Sequence, residues 1–140
     1  MRKYRMEDYL EAIYNLSSGG GEGYVSLGLI ASTLNLSSSS VTEMMQRLDE
    51  EGLVEYTKYR GVKLSRRGLT KAIQTIRKHR LLELLFRDFL GLNPDDYREI
   101  ICGIEHLITD DVTEKLYERL GRPSLCPHGN PIPVIIGEST

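Results

Sequence analysis

Cysteine is scarce in this chain, with two residues in 140, and histidine is nearly as rare, with three. Two cysteines cannot build a disulfide framework, and in a reducing compartment they stand as free thiols. Long apolar runs are missing too, so nothing in the sequence has the length of a membrane-spanning helix. The opening stretch, "MRKYRMEDYL", lacks the apolar core of a secretory signal. Together these absences make the cytoplasm the expected location. There is no internal repeat. No separate nucleophile, oxyanion donors or Gly-rich phosphate loop can be found, which argues against an enzyme.

What is present is ordinary in bulk and uneven in distribution. Hydrophobic residues make up 40% and charged residues 27%, as in a soluble globular protein, and the length suits one domain or two small ones. Residues 1–80 carry 13 Lys+Arg against 9 Asp+Glu, a balance of +4, while residues 81–140 carry 5 against 11, a balance of −6. A basic first part and an acidic second part suggest polyanion contact in the one and cation binding or assembly in the other.

Periodicity supplies the elements. Met6, Tyr9, Leu10, Ile13 and Leu16 form one stripe of a helix over about residues 5–17. "SSGGGEG" breaks it. Ser26 caps a second helix to about Leu34, and the turn "NLSSSS" leads to a third from about Ser38 to Glu51, with Val41, Met44, Met45 and Leu48 inward and Gly52 as its stop. "LVEYT" and "VKLS" flank the tip "KYRG", the pattern of a two-stranded hairpin. A long helix is expected over about Arg66–Leu90, a fifth over Pro94–Ile108 and a sixth from Thr109 or Asp110 to about Leu120, followed by a Pro/Gly-rich tail. The fold class is therefore mainly α: an N-terminal winged helix-turn-helix with a small β wing over residues 1–72, then a helical domain over residues 73–140 with an irregular tail.

In a winged helix the third helix enters the major groove. Opposite its apolar stripe lie Ser39, Thr42, Glu43 and Gln46, with Arg47 at the flank. Ser and Thr read base edges or phosphate, and Gln can pair with adenine. The helix start at Ser37, Ser38, Ser39 and Ser40 offers backbone N–H groups to a phosphate. Lys58, Tyr59 and Arg60 sit at the wing tip, with Lys63, Arg66 and Arg67 extending the basic strip. A solvated polar face is the plain alternative, and Glu43 is awkward beside phosphate. The order of elements favours double-stranded DNA.

The scarce residue types cluster. "CGIEH" places Cys102, Glu105 and His106 at i, i+3 and i+4, one helix face, where thiolate, carboxylate and imidazole suit a transition metal. "KHRLLE" places His79 and Glu83 at i and i+4, a spacing that more often makes a surface contact. Asp8 and Glu11 fall opposite the Met6/Leu10/Ile13 stripe, so periodicity alone makes them solvent-exposed. Cys126 and His128 in "CPHGNP" read as a packed irregular tail, with a C-x-H clamp as the alternative.

In this order, "MEDYLEAIYNL", "SSSSVTEMMQRLDEEGLV", "KYRGVKLSRRG", "RKHRLLELLFRDFLGL", "CGIEH" and "CPHGNPIP" resemble the diphtheria-toxin-repressor and manganese-transport-regulator family of metal-dependent repressors, over about residues 4–134. The resemblance implies a winged helix that binds operator DNA and a helical domain that dimerises and takes a divalent metal. By position it implies as ligands Asp8, Glu11, His79, Glu83, Cys102, Glu105 and His106. Asp8 matches the manganese regulators and Cys102 the iron regulators. Iron regulators also use a histidine four residues before that cysteine. Here the position is Arg98, which cannot ligate, leaving Glu11 or Glu99 to complete a site on His79 and Glu83. Many iron-type members continue after the "NPIP" segment into an SH3-like domain, and this chain stops near there. The expected protein is a homodimeric repressor of metal homeostasis, activated by Fe2+, acting on a palindromic operator. The alternatives are a Mn2+-responsive member, a winged-helix regulator with Cys102 and Cys126 as a redox switch, and a metal-dependent hydrolase with Glu105 as base.

Overall fold

The computed structural model describes residues 4–17 and 23–134, so most of the "SSGGGEG" break and the last six residues lie outside it. The chain divides into two compact units, Met1–Ala72 and Ile73–Thr140. Unit one holds α1 (Met6–Leu16), α2 (Leu27–Leu34), α3 (Ser38–Glu50) and an antiparallel pair, β1 (Val54–Thr57) and β2 (Gly61–Leu64). The division falls inside α4 (Arg66–Asp88), and unit two continues with a 3-10 turn (Pro94–Tyr97), α5 (Arg98–Glu105) and α6 (Asp110–Arg119).

In unit one the apolar stripes meet. Leu10, Ile13, Ile30, Val41, Met45, Leu48 and Val62 are each at most 1% exposed and form one core. Each such side chain contributes about 1.5–3 kcal/mol on burial. Serine caps define the helix-turn-helix. Ser26 Oγ accepts from the Leu29 N–H at 3.1 Å, and Ser37 Oγ from the Ser40 N–H at 3.2 Å. Asn35 ends α2 in the left-handed region with φ 56°. The hairpin pairs Val54 with Leu64 and Thr57 with Gly61. Val25 adds to it, exchanging backbone bonds of 2.7 and 2.9 Å with Val62. At Gly61, φ is +107° and a Cβ would lie 2.1 Å from the Val25 carbonyl oxygen, so only glycine lets the strands close here.

In unit two, Leu81 and Leu84 pack with Cys126 and Ile132, while Leu82 and Phe86 pack with Ile101. The expected fifth helix is shorter than its pattern. Asn93 Oδ1 takes the Asp95 N–H at 3.1 Å and starts a 3-10 turn, and regular α5 stops at Glu105. The tail is less irregular than its composition suggests. Ser124–Ile132 folds as a small hairpin, with the Cys126 N–H on the Asn130 carbonyl at 2.8 Å and the Ile132 N–H on that of Ser124 at 2.9 Å. Arg77 fixes its end: the guanidinium donates to both Glu114 oxygens and to the Pro133 carbonyl, each at 3.0 Å, and stacks on Tyr117. Arg80 donates to the Pro131 carbonyl.

Candidate metal centre and nucleic-acid face

On α3, Ser39, Glu43, Gln46 and Arg47 are exposed and Thr42 is half-buried. Ser38 and Ser40 are exposed in the first turn. The Thr42 hydroxyl donates to the Ser38 carbonyl at 2.9 Å, so toward a ligand it offers lone pairs and a methyl group rather than a proton. Ser37 Oγ holds the Ser40 N–H, which leaves the first-turn N–H groups of Ser38 and Ser39 for an outside acceptor. At the wing, Tyr59 is 95% exposed and Lys58 lies 5.4 Å from its ring centroid. The Arg60 guanidinium stacks 4.3 Å from the Tyr24 ring centroid, and Lys63 Nζ lies 5.3 Å from it. Tyr24 is thus a platform for two wing cations. Arg67 is engaged differently from the strip expected of it, donating to the Glu51 carbonyl at 2.8 Å and closing the C-terminal end of α3.

Asp8 departs from the solvent-facing reading of α1. It is 7% exposed, and its Oδ2 accepts the Arg5 N–H at 2.7 Å. Asp8 and Glu11 line one open hollow of ≈ 230 Å³, with Tyr4, Asn15, Thr33 and Leu34 among its other walls.

Unit two gathers the scarce residues. α5 presents Cys102 and Glu105, and His106, still helical at φ −84° and ψ −6°, follows as its cap. Their ligand atoms lie within 4.8 Å of one another. The Glu105 side chain is 1% exposed; Oε1 meets His79 Nδ1 at 2.6 Å. Glu105 Oε2 is buried with no hydrogen-bond partner among the described residues, and His106 Nε2 is 3.8 Å away. A buried carboxylate oxygen without a donor is costly. A divalent cation with thiolate, imidazole and carboxylate ligands satisfies it, so the donor set fits a transition metal.

His79 Nε2 lies 3.5 Å from Glu83 Oε2, and the same oxygen is 3.3 Å from His128 Nδ1. Glu83, Cys126 and His128 form a second group with ligand atoms within 4.8 Å. His128 Nε2 contacts Asp95 Oδ1 at 2.7 Å. The packed-tail reading of Cys126 and His128 accounts for the burial of the thiol and misses this convergence. Its signal was the C-x-H spacing itself. Glu99 belongs to neither group among the described residues, and Arg98 Nη2 sits 3.8 Å from Asp95 Oδ1.

Fold and site together define a class: a winged-helix unit joined in sequence to a helical unit with Cys/Glu/His donors. The chain belongs to the iron-dependent repressor family. Residues 2–62 match its N-terminal DNA binding domain and residues 65–134 its metal binding and dimerisation domain. The iron-dependent repressor IdeR of Mycobacterium tuberculosis is 35% identical over 131 residues, covering 93% of this chain and 56% of the relative. The HTH-type transcriptional regulator MntR of Oceanobacillus iheyensis is 40% identical over 72% of this chain and 67% of its own length. Among solved structures, the manganese regulator SloR superposes with a TM-score of 0.82 at 34% identity, over 96% of this chain and 61% of that one. The chain spans little more than half the length of the IdeR relatives it matches.

Proposed function

We propose that the chain is a metal-activated transcriptional repressor, not an enzyme, that responds to Fe2+ and acts in the cytoplasm as a homodimer on palindromic operator DNA. The observation that carries it is Glu105: a buried carboxylate with one oxygen lacking a donor, set between a thiol and an imidazole. Cys102, Glu105 and His106 hold the ion, His79 braces Glu105, and Asp8 and Glu11 are further ligands by family position. Ser37 to Ser40, Thr42, Glu43, Gln46 and Arg47 face the major groove, and Lys58 and Arg60 the neighbouring backbone or minor groove. Uncovered Ile100, Leu107 and Val112 on and beside α5 and α6, between 49% and 80% exposed, support self-association. A bound divalent ion supplies the charge that these donors lack. It activates only by favouring the DNA-competent arrangement over others, since equal affinity for both switches nothing.

The second donor set, Glu83, Cys126 and His128, supports a second ion in the same unit. A Mn2+-responsive reading draws on Asp8, a hard oxygen donor. A gel shift with and without Fe2+ under reducing conditions tests the proposal. Operator binding only with metal is expected. Metal-independent but oxidant-sensitive binding favours a redox switch on Cys102, and absence of DNA binding overturns the repressor reading.

A further inference from the structure

We propose that Asp95 is a positioning residue that holds His128 with Nδ1 turned toward Glu83 and Cys126, so that the imidazole is ready to ligate. The inference rests on the reading that Glu83, Cys126 and His128 take a metal. A carboxylate only accepts, so the 2.7 Å contact between His128 Nε2 and Asp95 Oδ1 places a proton on Nε2. The neutral ring then carries its lone pair on Nδ1, the nitrogen 3.3 Å from Glu83 Oε2. Orientation of a ligating imidazole by a carboxylate on its other nitrogen fixes the tautomer and raises its basicity.

Both partners are held before any ion arrives. Asp95 sits in the turn capped by Asn93, with Pro94 buried beneath it. His128 sits in a hairpin tip where the Gly129 N–H bonds the Cys126 carbonyl at 2.9 Å. Stability does not explain the pair. Its side chains are 40% and 44% exposed, and such surface pairs contribute about 0–1 kcal/mol. Arg98 Nη2 also approaches the Asp95 carboxylate, at 3.8 Å. An open hollow of ≈ 410 Å³ lies beside the pair, with Arg87, Leu92, Asn93, Asp95, Pro127 and His128 in its wall.

The test is Co2+ titration of the full chain in a Cys102→Ser background, where Cys126 is the one thiol left. A thiolate-to-cobalt absorption band reports metal at Cys126. The band should appear, Asp95→Ala should weaken Co2+ affinity by about 10–100-fold, and Asp95→Asn, whose amide oxygen still accepts from Nε2–H, should recover most of it. Circular dichroism of the metal-free variants checks that the fold persists. No band in the background protein overturns the metal reading of Glu83, Cys126 and His128, and the proposal with it. A band unchanged by Asp95→Ala overturns the positioning role alone. Equal losses for Asn and Ala mean that an acceptor on Nε2–H does not suffice to position the ring, and also overturn it.

Discussion

Glu105 concentrates the electrostatics of the site in one side chain. Removing a carboxylate from water costs several kcal/mol, and among the described residues one oxygen has a hydrogen-bond partner, His79 at 2.6 Å, while the other has His106 Nε2 no nearer than 3.8 Å. Glu105→Gln keeps the shape and removes the charge. Metal-free stability should change by no more than about 1 kcal/mol, because the lost ion pair is offset by the relieved burial of charge. The stabilisation by metal, about 2.7 kcal/mol at a hundredfold excess over Kd, should vanish, as should metal-dependent operator binding. Thermal melts with and without Fe2+ under anaerobic conditions measure it; a full metal-induced shift in the variant removes Glu105 from the site. The wing gives a second expectation. Arg60→Ala should lower the salt slope of DNA binding by about one unit. Tyr24→Leu should weaken binding without changing the slope, since it removes the platform under Arg60 and leaves the charge. These residues differ in how visible they were in the sequence. Cys102, Glu105 and His106 share a face by helix geometry alone. Cys126 and His128 meet Glu83 only because a distant hairpin folds back, which no local period encodes. The burial of Asp8 was hidden for the opposite reason, since its own helix marks it as outward.

At the scale of elements, the wing depends on one glycine. Gly61 combines φ +107° with a Cβ direction that meets the Val25 carbonyl, so Gly61→Ala brings both backbone strain and a broken Val25–Val62 bridge. A loss of about 2–4 kcal/mol is expected from such strain and a displaced strand, read as a lower urea midpoint with an unchanged slope. The α4–tail contact makes a similar claim in unit two. Arg77 is 4% exposed and ties Glu114, Tyr117 and the Pro133 carbonyl together. Arg77→Met should raise hydrogen exchange across residues 124–132 and, on the proposed ligand sets, weaken Co2+ binding at Cys126 and His128 more than at Cys102. Unchanged exchange there would mean that the apolar contacts of Ile132 suffice. The helices themselves were legible, because stripes, serine caps and Gly52 agree. What was not legible is where one element borrows from another: Val25 joining the wing, Arg67 closing α3, and Asn93 converting the start of a helix into a 3-10 turn.

For the whole molecule, charge distribution and donor types bear on which ion it reports. Charge is already divided along the chain, basic in the first 80 residues and acidic after them, which suits DNA contact in the one and cation capture in the other. The donor types then set the preference. Mn2+ is hard and prefers oxygen, whereas a thiolate suits softer ions and tolerates Fe2+ better. On the proposed ligand set, Cys102 favours Fe2+, and Asp8, a ligand by family position, favours Mn2+. Zn2+ and Cu2+ bind more tightly in simple affinity order. They need not activate, because a tetrahedral Zn2+ is satisfied by four ligands and an ion of higher coordination number recruits more of the carboxylates. The thiol carries a liability that a carboxylate lacks: it is half-buried rather than sealed, and as a thiolate it oxidises. Cys102→Glu should accordingly shift activation of operator binding from Fe2+ toward Mn2+ and remove sensitivity to peroxide. Titrating operator binding with each metal, for the parent chain and the variant, decides it. If the ratio of Mn2+ to Fe2+ response stays the same through the substitution, Cys102 does not set the choice of metal, and the oxygen donors of α1 become the place to look.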